Sequence, residues 1–219
     1  MIHIQNLFDQ NIHRRIEKVI QYQTTDADLL KQEVSEYVAT DSVQSNLERI
    51  LDALDDAMSA ATEKDVGVWV SGFYGSGKSS FTKYLGYSLD SSFKIGDVLF
   101  RDMFKQRLSN LPLQQRLETV ARKHNPVVIM VDLSVDYIVD QPSLPISTVL
   151  FLHVLRWAGY SSETKIAWLE LLAEERGRYE ELKAECRKLG GKEPWEWEQI
   201  HNNPAVATQI ASQIAVRMF

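Results

Sequence analysis

Through most of the chain, apolar residues recur at the three- and four-residue spacing of amphipathic helices. Only two runs are short, continuous and β-branched, as buried strands require. Leu29, Leu30, Val34, Tyr37 and Val38 share one helical face from about Asp26 onward. Val43, Leu47, Ile50, Leu51, Leu54 and Met58 share another, with Asp41 or Ser42 as the expected cap. Val66-Gly67-Val68-Trp69-Val70-Ser71 is the first strand-like run. A helix over 78–89 follows, with Phe81, Tyr84, Leu85 and Leu89 on one side. Two more helices are predicted over about 95–108 and 112–124, then a second strand at Val127–Leu133 introduced by Pro126. Beyond it the pattern is helical throughout. One helix runs from Pro145 to about Trp157. A long charged amphipathic stretch covers 162–189 and stops at Gly190-Gly191, and a last helix opens at Asn203-Pro204. Residues 1–25 read as an irregular lead-in with a short helix over 12–20.

Helices alternating with apolar strands predict an α/β fold. Residues 1–62 form an amino-terminal linker with helices, 63–140 a nucleotide-binding core, and 141–219 a helical extension. A parallel sheet of this kind has about five strands, and only two are visible. The last helix also reaches Phe219 without a stop signal. The expectation is therefore an incomplete core, the opening part of a longer protein, with no repeat or low-complexity tract.

Composition narrows the class. The 219 residues suffice for one or two domains, and the hydrophobic and charged fractions are ordinary for a globular chain. A formal charge of −6, with the 24 Lys and Arg mostly scattered, argues against a general nucleic-acid surface. Cys186 is the single cysteine, so no disulfide can form within the chain, which fits the cytoplasm. The first residues include Asp9, Arg14 and Arg15 without an apolar stretch, unlike a secretory signal, and no run is long enough for a membrane span.

The candidate chemistry sits between the first strand and its helix. Gly72-Phe73-Tyr74-Gly75-Ser76-Gly77-Lys78-Ser79 is a complete G-x-x-x-x-G-K-[ST] sequence. Glycines allow a tight curl, backbone amides at a helix start form a nest for polyphosphate, and the lysine adds a point charge. The predicted cofactors are ATP and Mg²⁺. Gly72 to Ser79, with Ser80 adjoining, would hold the phosphates, and the Ser79 hydroxyl would ligate Mg²⁺. Hydrolysis also needs a carboxylate at the end of a second strand. Asp132 is the local candidate, but Leu133 follows it where a second acid is usual. The competing reading is that Asp132 caps a turn with Ser134; in that case the catalytic carboxylates lie beyond residue 219.

Other signals are thinner. Arg14 and Arg15 could approach a base or form a solvated helical turn. His3, His13, His124, His153 and His201 lack metal-ligand spacing with one another or with Cys186. No G-x-S-x-G elbow and no guanine-reading N-K-x-D occurs. Trp195 and Trp197, alternating with Glu193, Glu196 and Glu198, fit a core anchor or a partner contact.

The stretch Gly67 to Phe81, read as G-V-W-V-S-G-F-Y-G-S-G-K-S-S-F, resembles the large P-loop ATPase of BREX-type bacteriophage-resistance systems, related to the phage-growth-limitation ATPase. Leu7-Phe8 with Ile12, Arg14 and Val19, and the patch Glu36-Tyr37-Val38-Ala39-Thr40, are similar to the same family. The likeness covers roughly residues 5–90. It implies an AAA-like ATPase of the origin-recognition or STAND kind, longer than this chain. That ATPase acts with other defence subunits on DNA and forms oligomers when full length. In that arrangement 127–133 is not the Mg²⁺-carboxylate strand, which weakens Asp132. Ser80 stands where the family commonly has histidine.

Three functions compete at this stage. One is an ATP-binding switch of a phage-defence assembly, weak in hydrolysis as it stands. The second is a small-molecule or nucleotide kinase, with Arg156, Arg176 or Arg178 on a lid. The third is a non-catalytic interaction platform.

Overall fold

The structure is a computed structural model that describes residues 26–61, 66–133, 145–161, 163–189 and 204–218, with Leu7, Trp197 and His201; side chains of the last stretch are described from Ala211 on. The helix expected over 12–20, Arg14, Arg15, Trp195 and Asn203 lie outside these residues. The chain divides into two units, 1–130 and 131–219.

In the first unit, the Asp26 carboxylate accepts from the amides of Asp28 (3.1 Å) and Leu29 (3.0 Å) and starts α1 (Ala27–Glu36). The second helix, α2 (Asp41–Ser59), is capped one residue earlier than expected. Thr40, in extended conformation, accepts from the Val43 amide at 3.3 Å, so neither Asp41 nor Ser42 is the cap. The helix after the glycine-rich loop, α3, spans Lys78–Leu89 as predicted.

The helix expected over 95–108 is replaced by a hairpin, β1 (Lys94–Ile95) and β2 (Val98–Leu99), followed by the short α4 (Phe100–Lys105). Ile95 pairs with Val98 across a two-residue turn whose first residue, Gly96, has φ +62°. Glycine at that place suits the turn that matches strand twist. Then α5 (Leu111–His124) begins at Asn110, whose side chain accepts from the Leu113 amide (3.1 Å).

The expected strands 66–71 and 127–133 gain no ladder partner among the described residues; the hairpin is the sheet there. A strand exists through its neighbours. Here Val66, Val68 and Trp69 stay exposed, while Val128 and Met130 pack on the helical core instead. The described chain is thus mostly helical with a small antiparallel sheet.

Helices α1 and α2, expected as a separate segment, share one hydrophobic cluster with α3, α4 and α5. Leu47, Leu51, Phe100, Leu113, Leu117, Val120 and Ala121 are its fully buried members. Tyr84 of α3 meets Tyr37 edge-on at 4.9 Å and lies 5.5 Å from Phe100, so aromatic contacts fix the helix that carries the loop. On the far side of α2, Asp55 holds α5 through Lys123 (2.6 Å), His124 (2.7 Å) and Arg116 (2.9 Å). The hydrogen bonds from Lys123 and His124 keep its carboxyl well below the usual carboxylate range. The folded value therefore lies under the unfolded one. The stabilisation is complete above about pH 4 and is lost as pH falls toward the folded value. Asp55→Asn should show a smaller drop in urea midpoint than wild type on going from about pH 5 to pH 3; an equal drop would remove Asp55 from the acid sensitivity.

The second unit holds α6 (Ile146–Trp157), α7 (Thr164–Glu175), α8 (Tyr179–Leu189) and α9 (Pro204–Met218). The long helix expected over 162–189 is broken. Gly177 takes φ +65°, its amide bonds Glu174 O (2.9 Å) and the Arg178 amide bonds Ala173 O (2.7 Å). That pair of bonds is a Schellman ending, which satisfies the last carbonyls of α7 and turns the chain. Gly159 ends α6 in the same way. Glu170 is fully buried, yet it accepts from the Ser161 amide (2.7 Å) and the Tyr179 hydroxyl (2.9 Å) and faces His201 at 3.3 Å. Cys186 is buried beside it; burial, with help from Glu170 and Glu185, pushes the thiol up to about 12, so it is no nucleophile. Among the described residues no helix is long and apolar enough to cross a membrane.

Candidate functional site

The glycine-rich loop is shaped by its own backbone. The Ser76 amide donates to Phe73 O at 3.2 Å and closes a turn. Gly75 (φ +79°) and Gly77 (φ +82°) take the left-handed conformation, which side chains rarely adopt. At Gly72 a Cβ would lie 2.7 Å from Ser76 Oγ, so the serine hydroxyl would have to turn away.

Gly77 is also the residue before α3, and no side chain caps that helix. The first intrahelical bond runs from the Phe81 amide to Gly77 O (2.9 Å). The amides of Lys78, Ser79 and Ser80 precede it and have no intrahelical acceptor. They sit at the positive end of the helix dipole. Lys78 Nζ folds back and donates to Gly72 O (3.0 Å) and Phe73 O (2.8 Å), which holds the ammonium against the loop. Ser79 is exposed and Ser80 half-buried. Phe73 and Tyr74 project into solvent, Tyr74 with 100% exposure.

A cavity of about 830 Å³ opens beside this loop. One wall is Val68 to Lys78 and the other is α2 with the Tyr37–Thr40 linker before it. Its volume is that of a small-molecule cleft. Among the described residues, Lys78 and Arg49 are the charged ones that line it, and no described aspartate or glutamate does. Ser42, Asn46 and Thr40 add polar groups, and Val43, Ile50 and Phe81 add apolar surface.

The structure thus brings Gly72 to Ser80 together on one loop and helix start. Asp132 is half-buried and belongs to the second unit, whereas the loop belongs to the first. Several of the other singled-out residues have packing or ion-pair roles. His124 pairs with Asp55. The Trp197 ring lies edge-on to Tyr179 (6.0 Å) and tilted against His201 (5.7 Å). Arg178 binds Glu181 and Met218 O. Among the described residues no three His, Cys, Asp or Glu side chains converge on a metal position. Sequence reading missed the α2 wall. Its signal was the spacing Ser42, Asn46, Arg49, a second helical stripe opposite Leu47 and Leu51.

No protein-family model matches the chain, and no solved structure matches it.

Proposed function

We propose that the chain is an ATP-binding module that takes the triphosphate on residues 72–79, in the manner of P-loop nucleotide-binding proteins. One observation carries the reading. The loop turns on two left-handed glycines into an uncapped helix start, beside a cavity whose described lining includes two cations and no carboxylate. Backbone amides and a lysine charge are what a polyphosphate needs, and carboxylates would repel it.

The residues fit the ligand. The amides of Lys78 to Ser80 meet phosphate oxygens, and Lys78 exchanges loop carbonyls for phosphate. Phe81, Ile50 and Val43 offer the nucleoside an apolar surface. Ser79 Oγ is the protein group that would hold Mg²⁺ beside the phosphates. When bound, Mg²⁺ neutralises charge on the terminal phosphates. Among the described residues the cavity wall presents no carboxylate to orient an attacking water, and the proposed role is ATP binding with slow turnover.

In the setting implied by the resemblance of residues 5–90 to BREX-type ATPases, this module is a nucleotide-dependent switch that works with other defence subunits near DNA. That part of the proposal rests on the resemblance alone. Calorimetric titration tests the binding reading. Lys78→Ala removes one charge-assisted contact, worth about 1.5–3 kcal/mol. ATP–Mg²⁺ affinity should therefore fall about 10–100-fold. Equal affinity for both proteins would refute it.

A further inference from the structure

We propose that Arg49 is a second phosphate-binding cation, reaching the nucleotide from the wall opposite the loop. This rests on the ATP-binding reading above and adds a residue to it.

The inference comes from how α2 distributes charge. The helix contains five carboxylates, Asp41, Glu48, Asp52, Asp55 and Asp56, and a single cation, Arg49. Three faces separate along it. Leu47 and Leu51 enter the core. Asp41, Glu48, Asp52 and Asp55 fall on a second face, where Asp52 and Asp55 bind α5 through Arg116 and Lys123; Asp56 lies two turns beyond Arg49 and does not line the cavity. Ser42, Asn46, Arg49 and Ala53 form the third face, at spacings of four, three and four residues, and all four line the cavity beside the loop. The most acidic helix of the unit therefore turns its one positive residue, and none of its negative ones, to the space where Lys78 sits.

Arg49 is also available. The carboxylate within helical reach of it is Asp52, three residues on, and Asp52 is engaged by Arg116 at 2.8 Å. Arg49 is exposed and forms no ion pair with a described residue. An arginine held on a helix wall presents a planar fork suited to phosphate oxygens. Two cations on opposite walls, with no described acid lining the space between them, form a clamp for a polyanion. The ligand class is a nucleoside polyphosphate read through its phosphates; the base is left to the apolar wall.

The test compares ATP–Mg²⁺ with inorganic tripolyphosphate, which lacks base and ribose, on wild type, Arg49→Ala, Arg49→Lys and Lys78→Ala. Arg49→Ala should bind both ligands about tenfold more weakly, with Arg49→Lys between it and wild type. Thermal midpoints should match, because Arg49 supports no described contact; if Arg49→Ala fails to fold, Arg49→Gln takes its place. Unchanged affinity in Arg49→Ala, alongside a loss in Lys78→Ala, overturns the Arg49 assignment and leaves the ATP-binding reading standing. A loss confined to ATP, with tripolyphosphate unaffected, also overturns it, since the contact would then be to the nucleoside. Wild type binding neither ligand overturns both.

Discussion

Glu33→Ala should destabilise the first unit by about 3–5 kcal/mol, the cost of leaving a buried charge without its partner. Lys83 of α3 is 0% exposed, and its Nζ meets Glu33 Oε2 of α1 at 2.8 Å. The ammonium also lies 6.0 Å from the Tyr87 ring centre, close enough for a weak cation–π contact and too far for a replacement of the carboxylate. Removing Glu33 leaves that ammonium in a site built from Tyr84, Tyr87 and their aromatic neighbours. Replacing both members, as in Glu33→Ala with Lys83→Met, removes the orphan charge and should recover most of the loss. Urea midpoints of the single and double variants decide it. A single variant within about 1 kcal/mol of wild type would mean that water reaches Lys83 and the pair is of the weak surface kind. Because α3 carries the phosphate loop, the double variant should still bind ATP.

Gly77→Val should abolish measurable ATP binding while leaving the helical core folded. Gly77 sits at φ +82°, a conformation a β-branched residue adopts only under strain of about 1–3 kcal/mol. Nothing lies within 4 Å of where its Cβ would be, so the effect is on the backbone and not a clash. The exposed loop relieves the strain by unwinding, and the amides of Lys78 to Ser80 lose their common direction. Asparagine tolerates this conformation better, so Gly77→Asn should keep part of the affinity. Calorimetry with far-ultraviolet dichroism separates loss of binding from loss of fold. Wild-type affinity in Gly77→Val would show that the left-handed turn is not needed.

The phosphate loop and the bounds of α3 were legible because local rules specify them: glycine spacing, a lysine, then apolar residues at helical period. The hairpin at Ile95-Gly96-Asp97-Val98 was readable in principle, but the helical period of the flanking residues concealed a two-residue turn. Gly177 was concealed by an unbroken charged pattern on both sides, and only its sign of φ ends α7. The runs 66–71 and 127–133 show the opposite limit. β-Branched composition makes a strand possible, while pairing depends on other segments, and none of the described ones supplies it. Arg49 was illegible for a different reason. Hydrophobic period reports the face of α2 that enters the core, and says nothing of which polar face meets the loop.

Backbone amide shifts on adding ATP–Mg²⁺ address the phosphate site most directly. The largest changes should fall on Gly75, Gly77, Lys78, Ser79 and Ser80, and in Lys78→Ala they should need about 10–100-fold more ligand to reach the same size. Saturable binding that shifts amides elsewhere and leaves those five unmoved would contradict a nucleotide held by this loop.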